Sequence, residues 1–159
     1  MSEFSELISK INKLPELDEL FTVEWQGSST EAAISIVENA LGVKIRGSYR
    51  DFILATGGGG LDLLYISPIS ADEPLVGCYS DTLHYRDHWV LHKLPQHLVV
   101  IQRDRDDNEP VCLDTSRDVN GDNPVVLFYP NSGHIERMAE NFIDYYQDFL
   151  SPYFDETGL

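Results

Sequence analysis

His84, His88 and His92 recur at every fourth residue, with His97 close behind. On a helix the first two share one face as an HxxxH pair, a spacing that suits two zinc ligands. Tyr85 stands where an HExxH site carries its general-base glutamate, and Asp87 lies one residue from the position a further ligand needs. These histidines therefore read as satisfied or solvent-facing, and no metal site is expected. Gly57-Gly58-Gly59-Gly60 offers backbone amides that could cradle a phosphate. A phosphate loop, however, follows a strand and opens a helix with a lysine, whereas these glycines follow a helical pattern and no lysine comes next. They read as a helix stop with close backbone approach into the following strand.

Asp104-Arg105-Asp106-Asp107-Asn108-Glu109 places oxygens at alternate positions, as a calcium loop does at its opening. Its sixth residue is Glu109 where such a loop needs glycine, and its twelfth is Thr115 where it needs a bidentate glutamate. A hairpin loop of turn-favouring residues is the simpler reading, and Asp118-Val119-Asn120-Gly121-Asp122 is likewise a turn. Ser132-Gly133-His134 has no nucleophile-elbow pattern, and neither Cys78 nor Cys112 has a catalytic or metal-type spacing. No catalytic residue and no cofactor is expected. A small metal-dependent hydrolase built on the histidines and the acidic loop is the enzyme alternative.

One charged pattern stands out. Glu136, Glu140, Asp144 and Asp148 recur every four residues with no lysine at i+4 and only Arg137 nearby. If residues 135–150 form a single helix, these acids make one ridge, and three successive like-charge pairs cost about 1 kcal/mol together. That ridge, with Asp104, Asp106, Asp107 and Glu109, is the candidate partner-binding surface; a solvated helix face is the plainer alternative.

The elements that must hold these residues can be read from apolar periodicity. Phe4, Leu7, Ile8 and Ile11 predict a first helix that Pro15 interrupts. Phe21 to Trp25 alternates as a strand, and Ser28 with Glu31 has capping-box spacing before a helix that ends at Gly42. Ser48–Thr56 is a short helix, Leu61–Ile66 a strand candidate, and Asp81–Leu94 leans to helix before Pro95. Leu98–Gln102, Val111–Asp114 and Val125–Tyr129 are strands joined by polar loops, which implies an antiparallel meander. Ile135–Leu150 carries Met138, Ala139, Phe142, Tyr145, Tyr146 and Phe149 as the face of an amphipathic closing helix. The expected fold class is α+β: a central antiparallel sheet packed against N-terminal helices and a C-terminal amphipathic helix.

At 159 residues the chain has the length of one domain, with no internal repeat or linker. Eleven Lys and Arg oppose 27 Asp and Glu, a net charge of −16 at pH 7. Such a chain repels a phosphate backbone and an anionic membrane surface, so neither nucleic acid nor membrane is an expected partner. A basic protein is. Acidity is densest late in the chain, where residues 101–159 hold 13 acids against 4 bases. No signal-type start and no run of eighteen apolar residues is present, and two cysteines are too few for a disulfide scaffold, so a cytoplasmic location is expected. The sequence leaves the oligomeric state open.

Ile34-Ser35-Ile36-Val37-Glu38-Asn39-Ala40-Leu41-Gly42, then Ile45, Tyr49-Arg50-Asp51-Phe52-Ile53 and Gly57 to Gly60, resembles the opening signature of the SUKH superfamily. Leu94-Pro95, Leu98 to Ile101, Cys112-Leu113-Asp114-Thr115-Ser116, Pro124-Val125-Val126 and the aromatic helix around Phe142 extend the likeness from about Thr22 to Leu150. One departure is Ile45-Arg46, where members commonly carry Leu-Pro. The resemblance implies a mixed α+β domain without catalytic residues. It further implies either a bacterial immunity protein that blocks a cognate, often nuclease-type, toxin, or a regulatory scaffold similar to fungal cell-wall-synthesis regulators.

Overall fold

In a computed structural model, which describes residues 3–87, 91–103 and 108–159, helix α1 spans Glu3–Leu17 and β1 Val23–Trp25. Pro15 lies inside the last turn of α1 rather than ending it. A proline there forfeits a single intrahelical bond, and the fully buried Leu14, whose carbonyl accepts the Asp18 N–H at 2.9 Å, carries the helix past it. Helix α2, Glu31–Leu41, buries Ala33, Ile34, Val37 and Leu41 on one face. Its N-cap is Thr30, whose hydroxyl accepts the Ala33 N–H at 3.1 Å. The Ser28 hydroxyl, expected to cap α2, instead donates to the Ala55 carbonyl at 3.1 Å and ties the loop to α3.

Helix α3, Ser48–Thr56, has the bounds its sequence predicts, between Gly47 and Gly57. The turn before it is held by Glu38, a buried carboxylate that accepts the Ile45 N–H at 2.8 Å and lies 3.5 Å from the Arg50 guanidinium. Strand β2 is Gly59–Leu61, paired antiparallel with β1 through Glu24↔Gly60 and Trp25↔Gly59. The expected strand over Leu61–Ile66 is therefore displaced: the glycines themselves form it, and a 3-10 turn follows at Asp62–Leu64. Gly60 has φ 106°, and a Cβ there would stand 2.9 Å from the Trp25 ring, so only glycine allows the approach.

Helix α4 occupies Cys78–Asp87, earlier than the expected Asp81–Leu94. Residues 91–94 are not helical, and the Leu94 N–H returns to the Tyr85 carbonyl at 3.0 Å. Strands β3 (Leu98–Gln102), β4 (Val111–Asp114) and β5 (Val125–Tyr129) follow the sequence reading, and the antiparallel meander is present in the order β3-β4-β5-β6.

The fourth strand was not expected. Strand β6, His134–Ala139, takes the first third of the segment read as one closing helix, and α5 runs from Phe142 to Thr157. Asn141 is the reason: its side chain accepts the Asp144 N–H at 2.8 Å as an N-cap, which fixes the helix start after Ala139. Phe142, Tyr146, Leu150 and Phe154 then form the buried stripe of α5.

Val99, Ile101, Val111, Leu113 and Val125 pack against α1, α2, α3 and α5 around Phe52 and Phe142, whose ring centroids are 5.1 Å apart. The opposite face, with Val100, Cys112, Val126 and Phe128, is covered by Tyr85 of α4 and by Leu94. The class is α+β, a central antiparallel sheet with N-terminal helices and a C-terminal helix.

Candidate functional site

The acidic ridge does not exist as a helix face. Glu136 sits on β6, Glu140 follows that strand, and only Asp144 and Asp148 belong to α5. A strand rises about 3.3 Å per residue and a helix 1.5 Å, so a four-residue repeat that crosses from one to the other loses its common face.

A different grouping replaces it. Strand β6 is the outer strand of the four-stranded sheet, and residues 134–138 are all exposed. Its partner β5 sets the register Tyr129↔His134, Phe128↔Ile135 and Leu127↔Glu136. The hairpin turn is closed by the Ser132 and Gly133 N–H groups, which donate to the Tyr129 carbonyl at 3.2 and 2.7 Å. Across the pair the Tyr129 hydroxyl donates to Glu136 Oε1 at 3.2 Å, and the Tyr129 ring lies 5.4 Å from that of His134. Partial desolvation first, then the Glu136 carboxylate and the field of Glu109, push the Tyr129 hydroxyl pKa up.

Glu109 and Tyr129 both line a small cavity of about 60 Å³ between the β3–β4 and β5–β6 loops. Two of the sequence-selected acids, Glu109 and Glu136, are thus brought to one end of the sheet around one phenol. Exposed Ile135 and Met138 add apolar surface to the same strand. Glu140, Asp144 and Asp148 are exposed but separate from this pair, and Asp104, Asp106 and Asp107 lie outside the described residues. Sequence reasoning missed Tyr129, Ile135 and Met138 as surface groups. The available signal was Pro130-Asn131-Ser132-Gly133, turn chemistry that closes a hairpin.

The other candidates resolve into structural roles. Gly57 ends α3 with φ 74°, and a Cβ there would meet the Gly27 carbonyl oxygen at 2.0 Å. The amides that a phosphate would need are engaged: Gly57 N–H bonds the Ile53 carbonyl, Gly58 N–H the Thr56 hydroxyl, and Gly59 N–H the Ile66 carbonyl. Thr115, at the would-be twelfth position of a calcium loop, donates its hydroxyl to the His97 carbonyl at 2.7 Å. The Asp118 carboxylate accepts the Gly121 N–H at 2.7 Å, which makes 118–122 the expected turn. Ser132 spends its hydroxyl on the His134 N–H at 3.2 Å. His84 lies on α4, edge-on to Tyr85 at 5.1 Å, whereas His92 lies beyond the helix end against Gly133, and His88 falls outside the described residues. Among the described residues no three His, Cys, Asp or Glu side chains group as metal ligands.

A broader depression of about 800 Å³ lies between the α2–α3 connection and the ends of β3 and β4, lined in part by Lys44, Arg46, His97 and Arg117. Two of its cations are matched locally, Arg46 to Asp118 at 3.1 Å and Arg117 to Asp114 at 3.4 Å. Cys78 and Cys112 are free and fully buried, and burial pushes the Cys78 thiol up to about 12. Neither is poised as a nucleophile at neutral pH.

The family model SUKH_5, described as SMI1-KNR4 cell-wall, matches residues 4–151. The chain belongs to the SUKH superfamily. The match covers α1 as well as the region from Thr22 onward that carries the sequence likeness, so the first helix is part of the SUKH domain. SUKH domains are protein-interaction modules and the family is generally non-enzymatic. A search of curated proteins gives no match. No helix among the described residues of this SUKH chain is long and apolar enough to cross a membrane.

Proposed function

We propose that this SUKH chain is an immunity-type binding protein that works in the cytoplasm and neutralises a basic, nuclease-type toxin by covering it with an acidic surface. The observation that carries the reading is the convergence of Glu109 and Glu136 on Tyr129 beside an uncovered edge strand. An aromatic centre with carboxylates at its rim fits a partner rich in arginine and lysine, and exposed Met138 on the same strand supplies area that loses water on contact. Exposed Glu140, Asp144 and Asp148 extend the negative field away from this centre. With a net charge of −16, long-range attraction raises the association rate for a cationic partner. The same charge disfavours nucleic acid as a ligand.

The test is the association rate with a nuclease-type toxin domain taken from a neighbouring gene, measured at low and at physiological salt. The reading expects a fast rate that falls steeply with ionic strength and falls again in Glu136→Lys. A salt-independent rate, or no association, overturns it. The family description, cell-wall, favours a second reading as a regulatory interaction domain. Deletion that alters growth or wall integrity with no toxin present supports that reading instead.

A further inference from the structure

Residues 65–77 connect the 3-10 turn to α4 with no helix or extended strand of their own, a length at which loops in compact domains are usually functional. The loop is pinned rather than loose. The Ser67 N–H donates to the Ile101 carbonyl at 2.8 Å, Ile69 N–H to the Gly57 carbonyl at 3.1 Å, and Cys78 N–H to the Pro68 carbonyl at 2.8 Å. Ile66 and Ile69 are fully buried beneath it. Its outer side nevertheless exposes large apolar groups, with Tyr65 at 40% and Val76 at 59%, and Leu75 is exposed next to them.

Tyr65 and Val76 border a cavity of about 460 Å³ that is also lined by Gln26, Ser70, Asp72 and Glu73. Gln26 Nε2 donates to the Tyr65 hydroxyl at 2.7 Å and holds the ring in place. The Ser70 hydroxyl accepts the N–H groups of Asp72 and Glu73 at 3.3 and 3.4 Å, so the acidic turn is preformed. From residue 51 to 85 the sequence contains no lysine or arginine. Among the described residues neither the Asp72 nor the Glu73 carboxylate has an ion-pair partner.

We propose that this pocket receives an arginine side chain from a positively charged segment of a partner protein, with the guanidinium at Asp72 and Glu73 and the stem across Tyr65 and Val76. Two adjacent carboxylates offer oxygens to a planar fork of N–H donors, and the phenol ring offers a face on which that fork stacks. Lysine, a compact and strongly hydrated charge, gains less from both. Tyrosine and arginine are also among the residue types enriched where interfaces concentrate their binding energy. The inference rests on the chain being a protein-interaction module and does not need the partner to be a toxin.

The experiment is a titration of the full chain with N-acetyl-arginine methylamide, read by amide chemical shifts. Shifts confined to Gln26, Tyr65, Ser70, Asp72, Glu73 and Val76 are expected. The lysine analogue should bind at least about threefold more weakly, and the neutral citrulline analogue should give no response. The exposed double variant Asp72→Asn with Glu73→Gln should keep its spectrum elsewhere and lose the response. Shifts spread over Glu136, Glu140 and Asp144, equal response to lysine, or a double variant that still responds would each overturn the proposal. Toxin neutralisation by a protein without this response overturns the pocket alone. A response in a protein that fails to neutralise leaves the pocket standing and overturns only the toxin reading.

Discussion

The Tyr129 hydroxyl donates to Glu136 Oε1 at 3.2 Å across the β5–β6 pair, and this bond fixes an exposed carboxylate on the outermost strand. Partial desolvation foremost, then this carboxylate and Glu109, disfavour the phenolate. Glu136→Gln therefore lowers the Tyr129 pKa toward the ordinary tyrosine value while the thermal midpoint stays unchanged. Ultraviolet titration of the phenolate measures it; an unmoved Tyr129 pKa contradicts the coupling.

Asn141 and Asp144 close the first turn of α5 reciprocally. The Asp144 N–H donates to Asn141 Oδ1 at 2.8 Å and the Asn141 amide donates to Asp144 Oδ2 at 3.1 Å. A carboxylate at this position also meets the positive end of the helix dipole. Asp144→Lys is expected to lower stability by about 1 kcal/mol in urea unfolding. On a continuous helical ridge the same change would relieve repulsion and raise it.

Gly57 and Gly121 separate steric from conformational cost. Both have positive φ, 74° and 85°, but a Cβ at Gly57 would lie 2.0 Å from the Gly27 carbonyl oxygen, whereas one at Gly121 meets nothing within 4 Å. Gly121→Ala should cost about 1 kcal/mol and Gly57→Ala about 3 kcal/mol or more, since the β1 end must move. Equal losses would remove the packing argument.

Stability is expected to fall at alkaline pH. Burial raises the Cys78 thiol to about 12, and it raises the Cys112 and Tyr49 groups as well. The folded state therefore holds these protons after the unfolded chain has released them, so their stabilising contribution is complete below about pH 8.5 and declines as pH rises toward 12. Each such thiol adds up to about 1.4 kcal/mol per pH unit to the slope. Urea unfolding from pH 8 to 11 should show the decline, and Cys78→Ala should make it shallower.

The three strands β3, β4 and β5 are legible because each is a short apolar run between polar loops, and α3 because Gly47 and Gly57 bracket it. The failures share a cause. Strand β6 is exposed along its length, so it carries no alternation, and Ile135, Met138, Ala139 and Phe142 fall at helical spacing by coincidence. Asn141 three residues before Asp144 was the one local signal for the helix start. Strand β2 is not legible in the sequence because two of its three residues are glycines, whose place in a strand depends on the approach of Trp25 and not on propensity. At the surface the acids were readable as composition. Their grouping was not, because Glu109 and Glu136 come to the same tyrosine only through the register of three strands.

The proposed neutralisation is read out by co-expressing the chain with a nuclease-type toxin domain taken from a neighbouring gene, scored for growth and for a co-purifying complex. The wild-type chain is expected to restore growth and co-purify with the toxin, and the folded double variant Glu109→Lys with Glu136→Lys to lose both. Killing that continues with no complex formed, or rescue that the double reversal leaves untouched, would contradict it.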